Sequence, residues 1–211
     1  MKTRLLLTFF GGLVLSAMAG AQNTVTRSLS SFDKIAISGG YDKLILQEGS
    51  SESVSLQVDG VDADKILTEV HGSTLEIGMK KGNYRNMNVR ITVTYKNLKE
   101  VASSGSTNIE TASTIKANHF EIASSGSGNF KGNFDVKSLE VAISGSSDMT
   151  LSGMAGKQEI AISGSGNIHA ENLKGHEAEV AISGSGNVML GVDGPVQSAV
   201  SGSGKVSTKK S

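Results

Sequence analysis

The sequence of 211 residues has no cysteine and no tryptophan, and its single proline is Pro195. The absence of cysteine excludes a disulfide framework, a thiolate metal site, a cysteine nucleophile and a lipidated N-terminal cysteine. Aromatic residues make up only 4% of the chain, which is too little for the core of a large β-sandwich. Stability must therefore come from close packing and backbone hydrogen bonds.

An excess of charge of one sign is also missing, because 20 Lys+Arg residues balance 20 Asp+Glu residues. A general binder of nucleic acid or other polyanions needs a basic surplus, so the composition excludes that class. The 26 glycines make up a larger share of the 211 residues than the usual value of about 7%. This high glycine content argues against a helical bundle. Hydrophobic residues reach 37%, which is enough for a folded chain with a thin core.

Residues 1–21 have the features of a secretory signal peptide. Lys2 and Arg4 form a basic start, residues 5–15 are mostly apolar, and small residues follow up to Ala21. The apolar run is too short to span a membrane. We expect cleavage after Ala21, so that the mature chain starts at Gln22 and is exported to the periplasm, the cell surface or the medium. No later stretch is apolar for long enough to span a membrane.

A repeat of about 20 residues dominates the second half of the chain. Its most visible part is Ser-Gly-Ser or a near variant, which starts at Ser104, Ser125, Ser144, Ser163, Ser183 and Ser201. An alanine precedes each of these serines by two residues, and a glutamate or, once, a glutamine precedes each alanine by two. In five of the six copies an asparagine or aspartate stands two residues after the second serine. We call residues at the same repeat position a column.

The repeat predicts an all-β fold, a right-handed parallel β-helix (solenoid) with one coil of about 20 residues per repeat. The segments before each Ser-Gly-Ser alternate polar and apolar residues, as strands with one buried face do. Coils that stack in register keep the same residue in each column. The Ser-Gly corners need residues that allow tight turns or that pair from coil to coil. These corner residues are Gly105, Gly126, Gly145, Gly164, Gly184, Gly202, Asn129, Asn167 and Asn187.

The first half of the mature chain lacks the regular repeat. Alternation and glycine punctuation predict strands at 32–38, 42–47, 53–58, 74–79 and 88–95, with one helical turn within 61–68. Residues 37–42 are a degenerate copy of the repeat corner. We therefore predict a single domain over 22–211, with irregular β coils at 22–98 that cap regular coils at 99–206.

The last repeat departs from its columns. Lys205 replaces the corner asparagine, and Lys209 and Lys210 follow in the tail. Charges on a terminal coil discourage end-to-end pairing with another molecule. We interpret these lysines as protection of the open end.

Motifs that carry catalysis or bind cofactors are missing from the sequence. It contains no Gly-x-Ser-x-Gly elbow, no phosphate-binding glycine loop and no His-x-x-x-His pair. His169 and His176 are interpreted as surface residues rather than metal ligands. The sequence thus predicts no catalytic residue, no metal site and no cofactor, and a protein that is not an enzyme.

The glutamate column is the one feature with clear electrostatic content. Stacking would place Glu121, Glu140, Glu159 and Glu179 on the outer surface about 5 Å apart. The simplest interpretation is a solvated face that discourages aggregation. A sharper hypothesis is weak binding of divalent cations or of a basic partner. The alanine and serine columns beside it would form a flat strip, which suits a carbohydrate, another sheet or merely tight packing.

The order of these segments resembles the family described as "putative auto-transporter adhesin, head GIN domain". A signal peptide is followed by Phe-Asp-Lys-Ile-Ala-Ile-Ser-Gly at 32–39, Asn-Leu-Lys-Glu-Val at 97–101 and tandem Ile-Ser-Gly-Ser-Gly-Asn units. The resemblance covers about residues 24–205. It implies a right-handed β-helix fold and adhesion, and it brings no catalytic residues to this chain. Many members look lipid-anchored, whereas this chain has no cysteine.

Together these features predict an exported, non-enzymatic solenoid that binds a glycan or another envelope component through an extended face. Two alternatives stay open: a polysaccharide-acting enzyme on a β-helix, and a structural or lipid-binding envelope protein. Acids clustered in a groove would favour the enzyme, a flat surface would favour adhesion, and an apolar cavity would favour lipid binding.

Overall fold

The computed structural model describes residues 23–209 of the chain. The predicted signal peptide and Lys210 lie outside the described residues. Apart from one 3-10 turn at Ala63–Lys65, all regular structure in this range is β-strand, which confirms the predicted all-β class. None of the helical structure in this range is long and apolar enough to cross a membrane.

The chain forms a succession of mostly short strands joined by tight turns. They are β1 (Asn23–Ser28), β2 (Lys34–Gly39), β3 (Lys43–Glu48), β4 (Ser53–Asp59), β5 (Ile66–His71), β6 (Thr74–Met79), β7 (Asn88–Tyr95), β8 (Glu100–Gly105), β9 (Ile109–Thr111), β10 (Ile115–Gly126), β11 (Phe130–Gly145), β12 (Asp148–Gly164), β13 (Asn167–Gly175), β14 (Glu177–Gly184), β15 (Asn187–Val192), β16 (Val196–Gly202) and β17 (Lys205–Thr208).

Successive repeats stack as parallel coils in the predicted register. Ser144 pairs with Ser125 on one side and with Ser163 on the other, and Ser163 pairs with Ser183. The columns of the sequence are therefore rows of neighbouring residues in space. This register confirms the parallel β-solenoid.

The regular coils form three sheets around a common core. We call the sheet that carries the repeat motif face 1; it consists of β6, β2, β8, the final parts of β10, β11 and β12, then β14 and β16. Face 2 consists of β7, β3, β9, the first parts of β11 and β12, then β13, β15 and β17. A short third sheet joins the first part of β10, the middle parts of β11 and β12, and the final parts of β13 and β15. Inward side chains from all three sheets form one apolar core.

The N-terminal half forms irregular coils at one end of the stack, as predicted, but their spatial order differs from their chain order. Strand β2 lies between β6 and β8, and β3 lies between β7 and β9. The first coil along the chain is thus the second in space. Antiparallel partners β4, β5 and β1 then extend the two sheets at this end. The corner copy at 37–42 is confirmed, because Ser38 pairs with Ser104 and Gly39 with Gly105.

The predicted helical turn within 61–68 is only partly correct. The 3-10 turn occupies Ala63–Lys65, and β5 starts at Ile66. Arg27 of β1 fixes this segment, because its guanidinium donates hydrogen bonds to the carbonyl oxygens of Ala63 and Ile66, each at 2.7 Å. Tertiary contacts from a distant strand therefore limit the helical turn and hold the chain as it enters β5.

In three of the regular coils an inward isoleucine packs against a glycine of the following coil. Inward residue Ile143 faces Gly166 of the next coil, where an added Cβ would lie 2.9 Å from the Ile143 Cγ2. One coil earlier both partners are polar: Ser124 Oγ and Ser147 Oγ lie 2.6 Å apart, and Ser147 is fully buried. The two pairs are alternative solutions to the same packing problem.

This alternation predicts strong coupling between positions 124 and 147. Ser124→Ile alone should destabilise the protein by about 1–3 kcal/mol, because it overpacks the site and removes the nearer of two hydrogen-bond partners of the buried Ser147 hydroxyl. Ser147→Gly alone should also destabilise. The double variant recreates the Ile143–Gly166 arrangement and should be more stable than either single variant. Urea unfolding of all four proteins measures the coupling energy, and additive effects would refute the packing rule.

Candidate functional site

A long groove runs along the outer surface of face 1. In each strand of this face the side chains alternate, so that Val141 and Ile143 point into the core while Ala142 and Ser144 point outward. Because the coils stack in register, the outward residues form continuous columns. We call the concave surface above them the alanine groove.

The alanine groove encloses about 1030 Å³. Seven in-register coils at a spacing of about 4.8 Å give its alanine column a length of roughly 29 Å. The floor consists of two columns of small side chains. These are Ala36, Ala102, Ala123, Ala142, Ala161, Ala181 and Ala199, with Ser38, Ser104, Ser125, Ser144, Ser163, Ser183 and Ser201.

The β5–β6 hairpin forms the end of the groove on the N-terminal side of the stack. Glu76 pairs in register with Ala36, so that a carboxylate stands where the alanine column would otherwise continue. Leu67, Glu69 and Met79 complete this end wall. The sequence analysis missed these residues because they belong to the irregular half, and nothing in the repeat indicates that a hairpin closes the groove.

The glutamate column runs parallel to the groove, two residues before the alanine column in each strand. Glu121 pairs with Glu140, Glu140 with Glu159, and Glu159 with Glu179. The structure thus brings the four predicted glutamates into one row and does not gather them around a point. Within residues 23–209 there is no group of three His, Asp or Glu side chains arranged to hold a metal ion.

Basic side chains lie beside the acidic row. Lys34 Nζ lies 2.6 Å from Glu100 Oε2, Lys157 Nζ lies 2.5 Å from Glu159 Oε1, and His119 Nε2 lies 3.8 Å from Glu140 Oε2. Hydrogen bonds to these glutamates raise the pKa of Lys34 and of Lys157. The row is therefore a mixed, solvent-exposed surface, and its binding of divalent cations or a basic partner stays a prediction.

The predicted corner residues lie side by side at one edge of face 1. Gly145, Gly164 and Gly184 have φ values of +141°, +130° and +134°, a region that favours glycine. Gly126 is the exception among the six corner glycines, with a φ outside this region. Asparagine amides pair from coil to coil, with Asn129 donating to Asn108 at 3.0 Å and Asn187 to Asn167 at 2.9 Å. Asn167 donates to Asp148 at 2.8 Å.

The open end of the stack and the two singled-out histidines are exposed to solvent. Lys205 and Lys209 are exposed on the last coil. His169 and His176 are also exposed, and His176 Nδ1 lies 3.2 Å from Asp193 Oδ1. Neither histidine lines the alanine groove.

Fold and surface together define a parallel β-solenoid with an extended outer groove. The model of the family described as "Putative auto-transporter adhesin, head GIN domain" matches residues 31–211. The chain belongs to this family, as its repeat motifs predicted. None of the curated proteins matches the sequence.

Solved structures from Bacteroides and Parabacteroides species share the fold. One from Bacteroides fragilis, titled a putative adhesin, is 17% identical, with a TM-score of 0.70 over 90% of this chain and 98% of that one. One from Parabacteroides distasonis, titled a putative lipid binding protein, is 23% identical, with a TM-score of 0.67 over 91% and 98%. A putative adhesin from Parabacteroides merdae is 20% identical, with a TM-score of 0.61 over 91% and 98%. At these identities the likeness concerns the fold alone.

Proposed function

We propose that the mature chain is an exported, non-enzymatic protein that binds a component of the cell envelope along the alanine groove. The observation that carries this proposal is the groove itself, which runs across seven coils and is walled at one end by the β5–β6 hairpin. A family described as adhesins supports a binding role. A long groove suits an extended ligand better than a compact substrate.

The floor of the groove is suited to a neutral glycan chain. Alanine methyls offer apolar contact to the C–H groups of sugar rings, and serine hydroxyls can both donate and accept hydrogen bonds. Alanine loses no side-chain entropy when it is covered. The floor is also built on hydrogen-bonded strands, so little ordering cost opposes binding.

The acidic side chains around the alanine groove restrict the class of ligand that it can bind. Glu69 and Glu76 stand at the walled end, and the glutamate column runs alongside. A polyanion placed in the groove would meet like charges, which costs free energy. The groove therefore favours neutral or cationic polymers, in agreement with the expectation that the partner is not nucleic acid.

Acyl-chain binding is the second candidate. The observation in its favour is the apolar part of the end wall, where Leu67 and Met79 meet the alanine column. The same fold occurs in the Parabacteroides distasonis structure titled a putative lipid binding protein. An acyl chain would lie on the methyl floor with its end against these two side chains.

A binding experiment on the mature chain tests both candidates. Neutral oligosaccharides on a glycan array and a fluorescent fatty acid in solution serve as probes. The double variant Ala142→Phe with Ala161→Phe fills the groove on two adjacent coils, and we expect it to weaken binding at least tenfold. Thr150→Phe, on the exposed surface of face 2, is the matched control and should bind like the wild type.

The outcomes separate the candidates. Glycan binding that the groove variant abolishes supports adhesion, and fatty-acid binding with the same sensitivity supports the lipid role. Binding of either probe that the groove variant leaves unchanged places the site elsewhere and contradicts the proposal. Turnover of a polysaccharide by the wild type would contradict the non-enzymatic role.

A further inference from the structure

The last coil of the stack exposes one edge of face 1. Among residues 23–209, β14 is the one strand that pairs with β16. The inward residue Val200 of β16 is 43% exposed, whereas Ile182 at the same position of the preceding coil is 3% exposed. The last coil therefore leaves part of the core and one strand edge uncovered. We call the outer edge of β16 the open edge.

The backbone of β16 has hydrogen-bonding groups that point away from the stack. The carbonyl oxygen of Pro195 accepts a hydrogen bond from Ala178 N at 3.1 Å, so the odd-numbered residues of this strand face β14. Backbone groups alternate along a strand, and the N–H and C=O groups of the even-numbered residues consequently point outward. These residues are Val196, Ser198, Val200 and Gly202. An extended strand added here would continue face 1.

The open edge lacks the charges that usually keep a strand edge in water. Charged residues on edge strands discourage pairing with another molecule. Gln197 stands in the glutamate column, in register with Glu179, and β16 is the one strand of face 1 without Asp, Glu, Lys or Arg. Lys205 and Lys209, which we interpreted as protection, lie in β17 and after it. They leave the edge of face 1 free to pair.

We infer that the open edge binds a second copy of this chain, through an antiparallel pair of β16 strands related by a twofold axis at Ala199. In this register all seven residues of β16 pair, and the outward-pointing backbone groups of the two strands meet. Ser198 lies opposite the partner's Val200. Preceding coils have a larger residue at the position of Ser198, such as Val180, so the serine leaves room for the partner's valine.

The same axis brings opposite charges together. It is perpendicular to face 1, so it places β17 of each copy beside the partner's turn at 193–195, which leads into β16. Lys205 is the first residue of β17 and would approach the partner's Asp193, whose side chain is 67% exposed. Complementary charges at the rim of an interface favour the correct orientation of the two partners.

The pairing closes after two copies. At the other end of face 1 the outermost strand is β5, and the Arg27 guanidinium binds the carbonyl oxygen of Ile66 there at 2.7 Å. Head-to-tail addition would have to displace this side chain, whereas the twofold pair uses the same surface on both copies. The two alanine columns meet at Ala199, so the two grooves become continuous. The inference does not depend on what the groove binds.

Sedimentation velocity of the mature chain from micromolar to millimolar concentration tests the inference. The end of one coil is a small interface, so we expect a monomer that converts to a dimer as the concentration rises. Val200→Lys places a charge at the open edge and should weaken the dimer about tenfold or more. Val25→Lys, at an exposed valine of β1 in the opposite end, is the matched control and should dimerise like the wild type.

Two results would overturn the inference. One is a wild type that stays monomeric at every concentration, as expected if the open edge takes a strand of a different protein or none. The other is an assembly that Val25→Lys abolishes and Val200→Lys leaves intact. Neither result concerns ligand binding in the alanine groove, so failure of the groove proposal and failure of this one are distinguishable.

Single cysteine substitutions test the register, because the chain has no cysteine of its own. Directly opposed residues of an antiparallel pair are close enough for a disulfide. Ala199→Cys should therefore crosslink two copies when oxidised glutathione is added. Ser201→Cys is the matched control, since this residue would lie roughly 13 Å from its counterpart and should stay uncrosslinked. Equal crosslinking of both variants would contradict a pair centred on Ala199.

Discussion

Replacement of Gly164 by alanine should destabilise the solenoid by about 3–5 kcal/mol, a large part of the roughly 5–15 kcal/mol that holds an ordinary domain together. Gly164 has a φ of +130°, and an L-residue in such a conformation costs about 1–3 kcal/mol. An added Cβ would also overlap the backbone carbonyl oxygen of Gly145 in the preceding coil. A carbonyl in a parallel stack cannot move aside without breaking the register of its neighbours, so overpacking adds to the strain.

Gly40→Ala is the matched control for this substitution. Gly40 lies at the equivalent corner of the first coil, its φ is outside the left-handed region, and an added Cβ would meet nothing within 4 Å. Alanine there should be neutral or stabilise slightly, because it restricts the unfolded chain. Urea unfolding of the three mature proteins measures both effects. Equal midpoints for the wild type and Gly164→Ala would show that the corners do not depend on glycine.

The regular half of the fold could be predicted because parallel stacking selects the same residue at each level. Ser144 pairs in register with Ser125 and Ser163, so one repeat in the sequence corresponds to one layer in space. The alternation of Val141, Ala142 and Ile143 further distinguished the buried face from the exposed one. In this half the repeat pattern of the sequence therefore indicates directly which residues are neighbours in the folded chain.

In the irregular half the strands could be predicted from the sequence, but their spatial order and their parallel or antiparallel pairing could not. Residues 53–59 and 88–95 alternate in the same way whether their partners run parallel or antiparallel. The insertion of β2 between β6 and β8 depends on how the whole segment folds back. The end wall of the groove follows from that insertion, which explains why Glu76 and Met79 were missed.

The candidate sites differ in predictability for the same reason. The alanine and serine columns were evident as a strip, but the wall that closes one end of the groove comes from the β5–β6 hairpin. The concavity lined by Asp33, Lys99 and Lys116 brings together residues that have no common motif or spacing. Only the stacked coils place them together.

Phe134→Ala is the second substitution for which we expect a large effect, a loss of about 3–5 kcal/mol. Phe134 is buried, and its ring centroid lies 5.6 Å from that of Phe120 and 6.3 Å from that of Phe130. The in-register residue of the next coil is Gly153, which has no side chain to fill the space. The cavity would therefore stay open and place the loss at the upper end of the range.

Met154→Ala controls for the loss of a large apolar side chain from the outer surface of the same sheet. Met154 follows Gly153 and is 61% exposed, so its removal should change the free energy of unfolding by less than about 0.5 kcal/mol. Urea unfolding of both variants measures the difference. Similar losses for Phe134→Ala and Met154→Ala would mean that the aromatic cluster is not the centre of the core.

Gly132 provides a stricter test of the same packing. A Cβ at this residue would lie 2.6 Å from the Phe134 Cζ and 2.7 Å from the Phe130 Cε1. Gly132→Ala should therefore destabilise the wild type, since the Phe134 ring fills the space that a methyl would need. In the Phe134→Ala background the contacts with the Phe134 ring are gone and only the contact with Phe130 remains, so the same methyl should cost less. A cost for Gly132→Ala that is the same in both backgrounds would show that the Phe134 ring does not occupy this space.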